Sequence, residues 1–525
     1  MKKLYLSDEL NSREQSEGIF SKNKYRPQLH YSPKKNWMND PNGMVYYEGE
    51  YHLFYQFTPH DTRPDFANMH WGHAVSKDLV HWEELPPAIY PGEDGAIFSG
   101  SAVVDINNTS GFFDKDGSGL VAIYTNDGNC AQPGKPQVQS IAYSRDKGRT
   151  WTKYEGNPVL FPKKTLDFRD PKVFWHNESS VWVMVLAVKD RVEFYTSPNL
   201  KEWSFASEFG SGIPGIHQGV FECPDVFQIQ ADEHPEITKW ILMLSVGDRN
   251  GVNLKDPEPP AGGSGMMYFI GDFDGKAFTL DEELQSVDDI RWVDYGSDFY
   301  AAVTWYGLPE EDGRKIWVGW MNNWRYASTI PSKEWRGHMS IPREIRLRTY
   351  PEGLRLIQTP IRELSQLRRP VLSLQDLTIK PGSNVLSDID LAKAEIIAEF
   401  ELGTAVEFGF KVRKSSGQET VIGYHVLNEE LVVDRTKSNA IEFHPDFAAK
   451  HKAPMNPEHQ RIQLSIYVDW SSVEVFGNKG KTIISDMIFP DLDSRGMELY
   501  ALGGELKVVS LQINDLVSIW ENETV

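Results

Sequence analysis

Cysteine is nearly absent: the 525-residue chain carries two, Cys130 and Cys223. A disulfide framework is therefore excluded, and one bridge at most is open. No cysteine or histidine cluster has the spacing of a zinc site, so neither a metal nor a cofactor is expected. Long hydrophobic runs are missing too. No stretch approaches the roughly 18 apolar residues of a membrane span. The opening MKKLYLSDELNSREQSEGIF has two lysines but too short an apolar stretch for a secretory signal, which needs roughly 7–15 residues. As written the chain reads as cytoplasmic, with secretion open if a leader has been removed. Positive charge is also scarce: 54 Lys and Arg stand against 75 Asp and Glu, a formal net charge of −21. A phosphate backbone or an anionic membrane would repel such a protein, which argues against both as partners. A neutral sugar or polysaccharide remains compatible, with the protein a monomer or a homodimer.

Aromatics are plentiful, at 12% with 16 Trp. They suit a β-rich core, and flat rings also suit sugar faces. Helical periodicity is scarce. Short apolar segments such as Met44–Tyr47, Tyr51–Gln56, Val181–Val188 and Trp240–Val246 end in turn residues, as strands do. A degenerate unit recurs: AVSKDLVHW at 74–82, AYSRDKGRTW at 142–151, FYTSPNLKEW at 194–203 and YFIGDFDGKAF at 268–278. Each reads as a strand, a polar turn and an aromatic that opens the next strand. Four-stranded units repeated along the chain suggest a β-propeller. The unit fades near residue 350. From about Leu374, segments such as Ala394–Phe400, Ala405–Val412, Glu430–Val433, Gln463–Val468 and Val473–Phe476 read as a sandwich. The expected organisation is an N-terminal extension (1–24), a propeller (25–352), a linker with a short helical piece near Ile361–Leu367 (353–373), and a β-sandwich (374–525). The class is all-β. The sandwich is expected to serve a structural role.

Three acids stand in unusual settings: Asp40 in Asn-Trp-Met-Asn-Asp-Pro-Asn-Gly, Asp170 in Phe-Arg-Asp-Pro, and Glu222 in Phe-Glu-Cys-Pro-Asp. A proline follows each within two residues, which predicts that each acid sits at a strand end. In a propeller, ends of the innermost strands converge on the central axis, so three carboxylates from different blades can share one pocket. Glycoside hydrolysis uses a carboxylate pair, one ionised and one protonated, and crowded acids raise at least one pKa. Arg169 is expected to keep Asp170 ionised, and the apolar neighbours Phe221 and Cys223 to favour protonated Glu222.

These motifs, in this order, resemble the signatures of glycoside hydrolase family 32. Phe98-Ser99-Gly100-Ser101, the segment His70–Trp82, Trp320-Met321-Asn322-Asn323-Trp324, Ala405–Phe410 and Val473–Gly477 are similar to further family motifs. The resemblance spans about residues 25–515 and looks nearest to bacterial levanases. It implies a five-bladed β-propeller followed by a C-terminal β-sandwich. It further implies Asp40 as nucleophile, Glu222 as acid/base and Asp170 as transition-state stabiliser. Asn39, Gln56, Ser99 and Arg169 match positions that hold the fructosyl unit, and Trp37, Phe98 and Trp324 match an aromatic wall. Phe66 and Trp71 complete the expected substrate-binding set. The implied activity is release of terminal β-fructosyl units from levan, inulin-type chains or sucrose through a covalent intermediate, which needs carboxyls about 5–5.5 Å apart. A fructosyltransferase shares that intermediate, and a non-catalytic sugar-binding propeller is the remaining alternative. The chain departs from the family where Phe66 and Phe221 replace tryptophans usual in relatives and where the His60–Asp65 loop is slightly longer. Gly128–Gln137 reads as an inserted surface loop.

Overall fold

The computed structural model describes residues 24–115, 117–163, 165–211, 220–247, 259–281 and 290–520; the expected N-terminal extension lies, apart from Lys24, outside them. The first blade holds β1 (Asn36–Tyr47), β2 (Glu50–Thr58), β3 (His70–Ser76) and β4 (Trp82–Ile89). The second holds β5 (Ala96–Val104), β6 (Leu120–Asp127), β7 (Val138–Ser144) and β8 (Thr152–Lys153). The third holds β9 (Arg169–His176), β10 (Val181–Val188), β11 (Arg191–Ser197) and β12 (Ser204–Phe209). The fourth holds β13 (Phe221–Ala231), β14 (His234–Val246), β15 (Gly265–Phe273) and β16 (Phe278–Leu280), with the short β17 (Arg291–Trp292) against β15. The fifth is made by β18 (Tyr300–Thr304), β19 (Lys315–Trp320), β21 (Arg343–Tyr350) and β22 (Gly353–Pro360). Between them β20 (Trp335–Arg336) returns to pair in parallel with β1 at Asn36. The innermost strands β1, β5, β9, β13 and β18 each pack on the next, and β18 packs on β1, so the ring closes as a five-bladed propeller.

Middle strands such as β3 and β10 are buried almost throughout, because each blade lies face to face with its neighbours. That is why VWVMVLAV is a continuous apolar run rather than an alternation. The repeated unit is the turn into each outermost strand. The indole N–H of Trp82 donates to the Leu79 carbonyl (3.2 Å), that of Trp151 to Gly148 (3.0 Å) and that of Trp203 to Leu200 (2.9 Å). In the same turns the side chains of Asp78, Asp146, Asn199 and Asp274 accept backbone N–H groups two to four residues on. An Asx turn with an aromatic three residues after the left-handed corner is a local solution that the first four blades reuse, with Phe278 as the aromatic in the fourth.

The innermost strands share a second feature, which the sequence did not announce. The pairing register slips between Met38 and Pro41, between Ile97 and Gly100, between Glu222 and Asp225, and between Tyr300 and Val303. In β9 an extra residue falls between Arg169 and Lys172, opposite Val185–Ala187. All five bulges lie toward the same end of the ring. A bulge re-aims a side chain that strict alternation would send into a blade. Here it turns them toward the axis. Asp170, Cys223 and Ala301 take positive φ at these bulges, 59°, 45° and 54°, at a cost on the order of 1–3 kcal/mol each. Asp170 and Glu222 are the second residues of β9 and β13, at a strand end as expected, whereas Asp40 lies four residues inside β1. Pro41, Pro171 and Pro224 sit in β1, β9 and β13 at the irregularities, where the regular ladder is already broken and a missing N–H is tolerated.

The stretch 353–373, expected as a linker, is ordered structure. β22 is the outermost strand of the fifth blade, Arg362–Leu367 is a 3-10 helix, and β23 (Arg368–Ile379) already belongs to the sandwich. The sandwich adds β24 (Ala394–Glu401), β25 (Glu407–Ser415), β26 (Gln418–His425), β27 (Glu430–Lys437), β28 (Lys450–Pro454), β29 (Arg461–Val468), β30 (Ser472–Gly477), β31 (Thr482–Met487), β32 (Gly496–Leu502) and β33 (Leu506–Leu516). Its two sheets run β23-β33-β24-β29-β30-β31 and β28-β27-β26-β25-β32. They enclose a core of Ile396, Phe400, Phe410, Ile422, Val433, Leu464, Val475 and Leu499.

A separate apolar cluster joins the two domains, with Leu53, Tyr55, Ile316 and Val318 of the propeller against Tyr467, Phe476, Ile483 and Leu516 of the sandwich. Buried charge is set into this contact. His30 Nδ1 lies 2.7 Å from Asp469 Oδ2 and its Nε2 lies 2.8 Å from Glu474 Oε1. Burial opposes the imidazolium, but these two hydrogen-bonded carboxylates override it and raise the imidazole to about 9. A folded value above the ordinary 6.5 means stabilisation that is complete below 6.5 and lost as pH rises through 9, about 3 kcal/mol at most. Thermal melts by circular dichroism are therefore expected to show Tm falling between pH 7 and 9, with a lower and flatter curve for His30→Gln. A variant curve parallel to wild type would contradict a charged His30.

Candidate active site

The axial pocket is built from the bulged ends of the innermost strands. Asp40 comes from β1, Asp170 from β9 and Glu222 from β13. Cys223 ties two of them together: its backbone N–H donates to Asp170 Oδ2 (3.0 Å), and its thiol lies 3.7 Å from both Asp40 Oδ2 and Asp170 Oδ2. Arg169 ties Asp170 to Glu222. Its Nε lies 3.8 Å from Asp170 Oδ2, and a terminal nitrogen donates to Glu222 Oε1 at 3.0 Å. The Tyr300 hydroxyl, from β18, donates to Glu222 Oε2. The three acids thus share one cluster with a single guanidinium.

Asp40 and Asp170 are almost fully buried, at 7% and 6% exposure. Burial, then the charges of Glu222 and Asp170, push Asp40 up to about 8. Burial pushes Asp170 up to about 6; Arg169 opposes the shift and Glu222 adds to it. The guanidinium offsets desolvation of Asp170 without cancelling it, so Asp170 is less readily ionised than the sequence suggested. Burial, then Asp170 and Asp40, hold Cys223 as a neutral thiol. Near neutral pH the cluster keeps at least one proton, which belongs to the group rather than to one carboxyl. The expected apolar surroundings of Glu222 are not there. Phe221 points the other way, into the core between the third and fourth blades, and Cys223 faces the two aspartates. Alternation along β13 separates side chains that are adjacent in sequence.

The other expected residues divide by depth. Asn39 and Gln56 are buried at the acids' level, and Ser99 hydrogen-bonds Cys223. Asp40 Oδ1, Asn42 Oδ1 and Gln56 Nε2 are buried and make no hydrogen bond to protein among the described residues. Phe66, Phe98 and Trp324 form an aromatic rim: the Phe66 ring lies 5.9 Å from Trp324 and 6.3 Å from Phe98. Phe66 is 41% exposed and is the outermost of the three. Trp37 and Trp71 do not line the pocket as expected, since both have 0% exposure. Trp37 stacks behind Trp324 (6.1 Å) and holds the Asn39 Oδ1 (2.7 Å), while Trp71 donates to the Phe98 carbonyl (2.9 Å). They fix the rim from behind. The Gly128–Gln137 loop is exposed at its tip, residues 130–134, yet its last residue reaches inward, where Gln137 Oε1 accepts the Phe168 N–H at 2.8 Å beside Arg169.

Tyr300 escaped the sequence reading because no motif surrounds it. Cys223 was visible only as the middle of Glu-Cys-Pro. A wide cleft lies elsewhere, between the fourth and fifth blades and the sandwich, with Trp292, Arg348, Tyr350, Glu458 and Lys481 on its walls. It contains none of the three acids, which converge instead on the axial pocket.

The sequence matches the Glycosyl hydrolases family 32 N-terminal domain over residues 30–360 and the Glycosyl hydrolases family 32 C terminal over residues 363–515. The chain belongs to glycoside hydrolase family 32. The two matches meet at the 3-10 helix that separates propeller from sandwich. Among family 32 members, the levanase of Bacillus subtilis (strain 168) is 53% identical over 500 residues, covering 94% of this chain and 71% of that protein. The extracellular exo-inulinase of Aspergillus awamori is 39% identical, covering 94% of this chain and 95% of that one. In three dimensions this family 32 chain is similar to the crystal structure of the Aspergillus awamori exo-inulinase, with a TM-score of 0.86 at 37% identity over 94% of this chain and 99% of that one. It is also similar to the β-fructofuranosidase of Schwanniomyces occidentalis complexed with fructosyl-erythritol, with a TM-score of 0.80 at 30% identity over 95% and 99%.

Proposed function

We propose that this protein is a retaining exo-β-fructosidase in which Asp40, Asp170 and Glu222 carry the chemistry. The class is firm: the chain is a glycosidase of β-fructosides, as its levanase, exo-inulinase and β-fructofuranosidase relatives are. The observation that carries the residue assignment is the convergence of three carboxyls from β1, β9 and β13 on Cys223 and Arg169. Residues 25–360 form the catalytic unit in this reading, and the sandwich supports it.

Asp40 attacks the anomeric carbon of a terminal fructosyl unit while Glu222 gives its proton to the departing oxygen, leaving a fructosyl ester on Asp40. Water then attacks the same carbon, Glu222 takes its proton back, and the bond to Asp40 breaks. Positive charge develops on the sugar in both steps, and the ionised carboxyls of the cluster stabilise it. Asp170 and Arg169 hold the fructosyl hydroxyls. Arg169 and Tyr300, both donating to Glu222, fix its direction through both steps. Phe66, with Phe98 and Trp324, meets the leaving portion at the pocket mouth.

Product analysis on levan, inulin and sucrose tests this. Fructose alone, released first from chain ends with retained configuration by NMR, is expected. A ladder of oligosaccharides would mean endo attack, inverted fructose would exclude the covalent route, and transfer products in place of fructose would make the enzyme a fructosyltransferase.

A further inference from the structure

The fifth blade reaches the active site through Tyr300 and Trp324, and the segment leading into Tyr300 is anchored from outside the propeller. The segment just before Tyr300 runs along β31 of the sandwich. The Tyr295 N–H donates to the Ile483 carbonyl (2.9 Å) and the Asp298 N–H to the Ser485 carbonyl (3.0 Å). Side chains complete the seam from both sides. Asp294 Oδ1 accepts the Ser485 N–H (2.9 Å), Asp486 Oδ1 accepts the Ser297 N–H (3.0 Å), and Asp298 Oδ2 accepts the Met487 N–H (2.8 Å). A Cβ on Gly296 would sit 2.2 Å from the Ser485 carbonyl, so the approach admits no side chain there.

Two buried arginines close the seam. Arg435, from β27 of the sandwich, has 0% exposure. It donates to Asp298 Oδ2 (2.6 Å), to the Tyr326 hydroxyl (3.0 Å) and to the carbonyls of Phe447 (2.7 Å) and Met487 (3.1 Å), and lies 4.0 Å over the Phe447 ring. Tyr326 in turn donates to Asp298 Oδ1 at 2.6 Å and lies 2.9 Å from Ser297 Oγ. Arg343, from the fifth blade, bonds Asp294 on one side and Ser485 on the other, and covers the Phe299 ring at 4.0 Å. The two residues immediately before Tyr300 are therefore held, one by each arginine. The residue after it, Ala301, takes a left-handed φ of 54°, which survives only where its surroundings over-determine it. The seam reaches the aromatic rim too: Asn323 Nδ2 donates to the Ser297 carbonyl (2.9 Å), and Trp324 follows directly.

We propose that Arg435 of the sandwich is a positioning residue for the acid/base: through Asp298 and Tyr326 it sets where the Tyr300 hydroxyl meets Glu222. The sandwich is then part of the catalytic geometry and not only a support for the propeller. A buried bidentate guanidinium site is the kind that lysine cannot reproduce, because one ammonium cannot span Asp298 and Tyr326 in the same plane. This rests on the assignment of Glu222 above.

The test is a double-mutant cycle on the full chain, with steady-state sucrose or levan hydrolysis and melting curves for every variant. Arg435→Lys is expected to lower kcat about tenfold while KM moves less than about twofold. In a Tyr300→Phe background the same substitution is expected to cost less than about twofold, since the route to Glu222 is already cut. If Arg435→Lys does not fold, the isosteric Asp298→Asn replaces it in the same cycle. A folded Arg435→Lys or Asp298→Asn enzyme with wild-type kcat, or losses that multiply fully with Tyr300→Phe, would overturn the inference. Glu222→Gln serves as the control: normal turnover in that variant would overturn the acid/base assignment itself.

Discussion

Asp40→Asn is expected to abolish turnover and to raise the melting temperature at the same pH. The loss follows from the chemistry: an amide cannot form the fructosyl ester, and removing a covalent nucleophile costs at least about 10⁴-fold in kcat. The gain follows from the cluster. Burial and the charges of Glu222 and Asp170 push Asp40 to about 8 from its ordinary 3.8. A carboxyl raised on folding contributes stability only below its ordinary value, and that contribution is lost as pH rises through the raised one. At neutral pH the native state therefore carries a penalty that an uncharged amide does not, on the order of a few kcal/mol. Melting curves should show the variant a few degrees more stable near pH 7, with the advantage vanishing near pH 4. Equal Tm values at neutral pH would mean that Asp40 is not held among like charges. Function here costs stability, as strained or like-charged sites generally do.

Glu222→Gln is expected to lower kcat on levan or sucrose by about 10³-fold, within the 10²–10⁴ range of a lost general acid/base. The amide keeps an acceptor for Arg169, so the pocket geometry is preserved. The size of the loss should depend on the leaving group. A fructosyl donor whose leaving group departs without a proton restores the first step. The second step still lacks its base, so the covalent fructosyl-enzyme accumulates and product appears as a burst of one equivalent. A uniform loss across leaving groups, with no burst, would assign Glu222 some other role. Azide, which needs no deprotonation, should release the trapped sugar.

The acids were legible because their motifs are local, and local sequence reports local backbone. Asp-Pro and Glu-Cys-Pro mark places where a strand cannot pair normally. What the motifs did not reveal is the bulge that goes with each acid, since register belongs to the partner strand as much as to the strand itself. The repeat was legible for a similar reason: Asp78 with Trp82 and Asp146 with Trp151 close one turn each, within a few residues. The surroundings of Glu222 were not legible. Phe221 is its neighbour in sequence and faces another blade, whereas Tyr300, 78 residues away, touches it. Trp37 and Trp71 were expected in the pocket wall, but sequence carries no depth, and both stand one layer behind the rim. The boundary near residue 360 was hidden because β22 and β23 are joined by a single short helical turn, with no change of composition to mark where one sheet hands over to the other.

The latch between β20 and β1 has a kinetic consequence. Trp335 pairs with Asn36 and Arg336 with Trp37, so this latch, which ties the fifth blade to the first beside the β18–β1 contact, lies three residues from Asp40. The three acids belong to different blades, and none meets another within its own sheet. Individual blades can form early from contacts close in sequence, but the pocket comes into being only at closure, which joins residues some 300 positions apart and is the slowest kind of contact to find. A half-assembled chain is therefore silent rather than weakly active, and turnover is an all-or-none reporter of the last step of assembly.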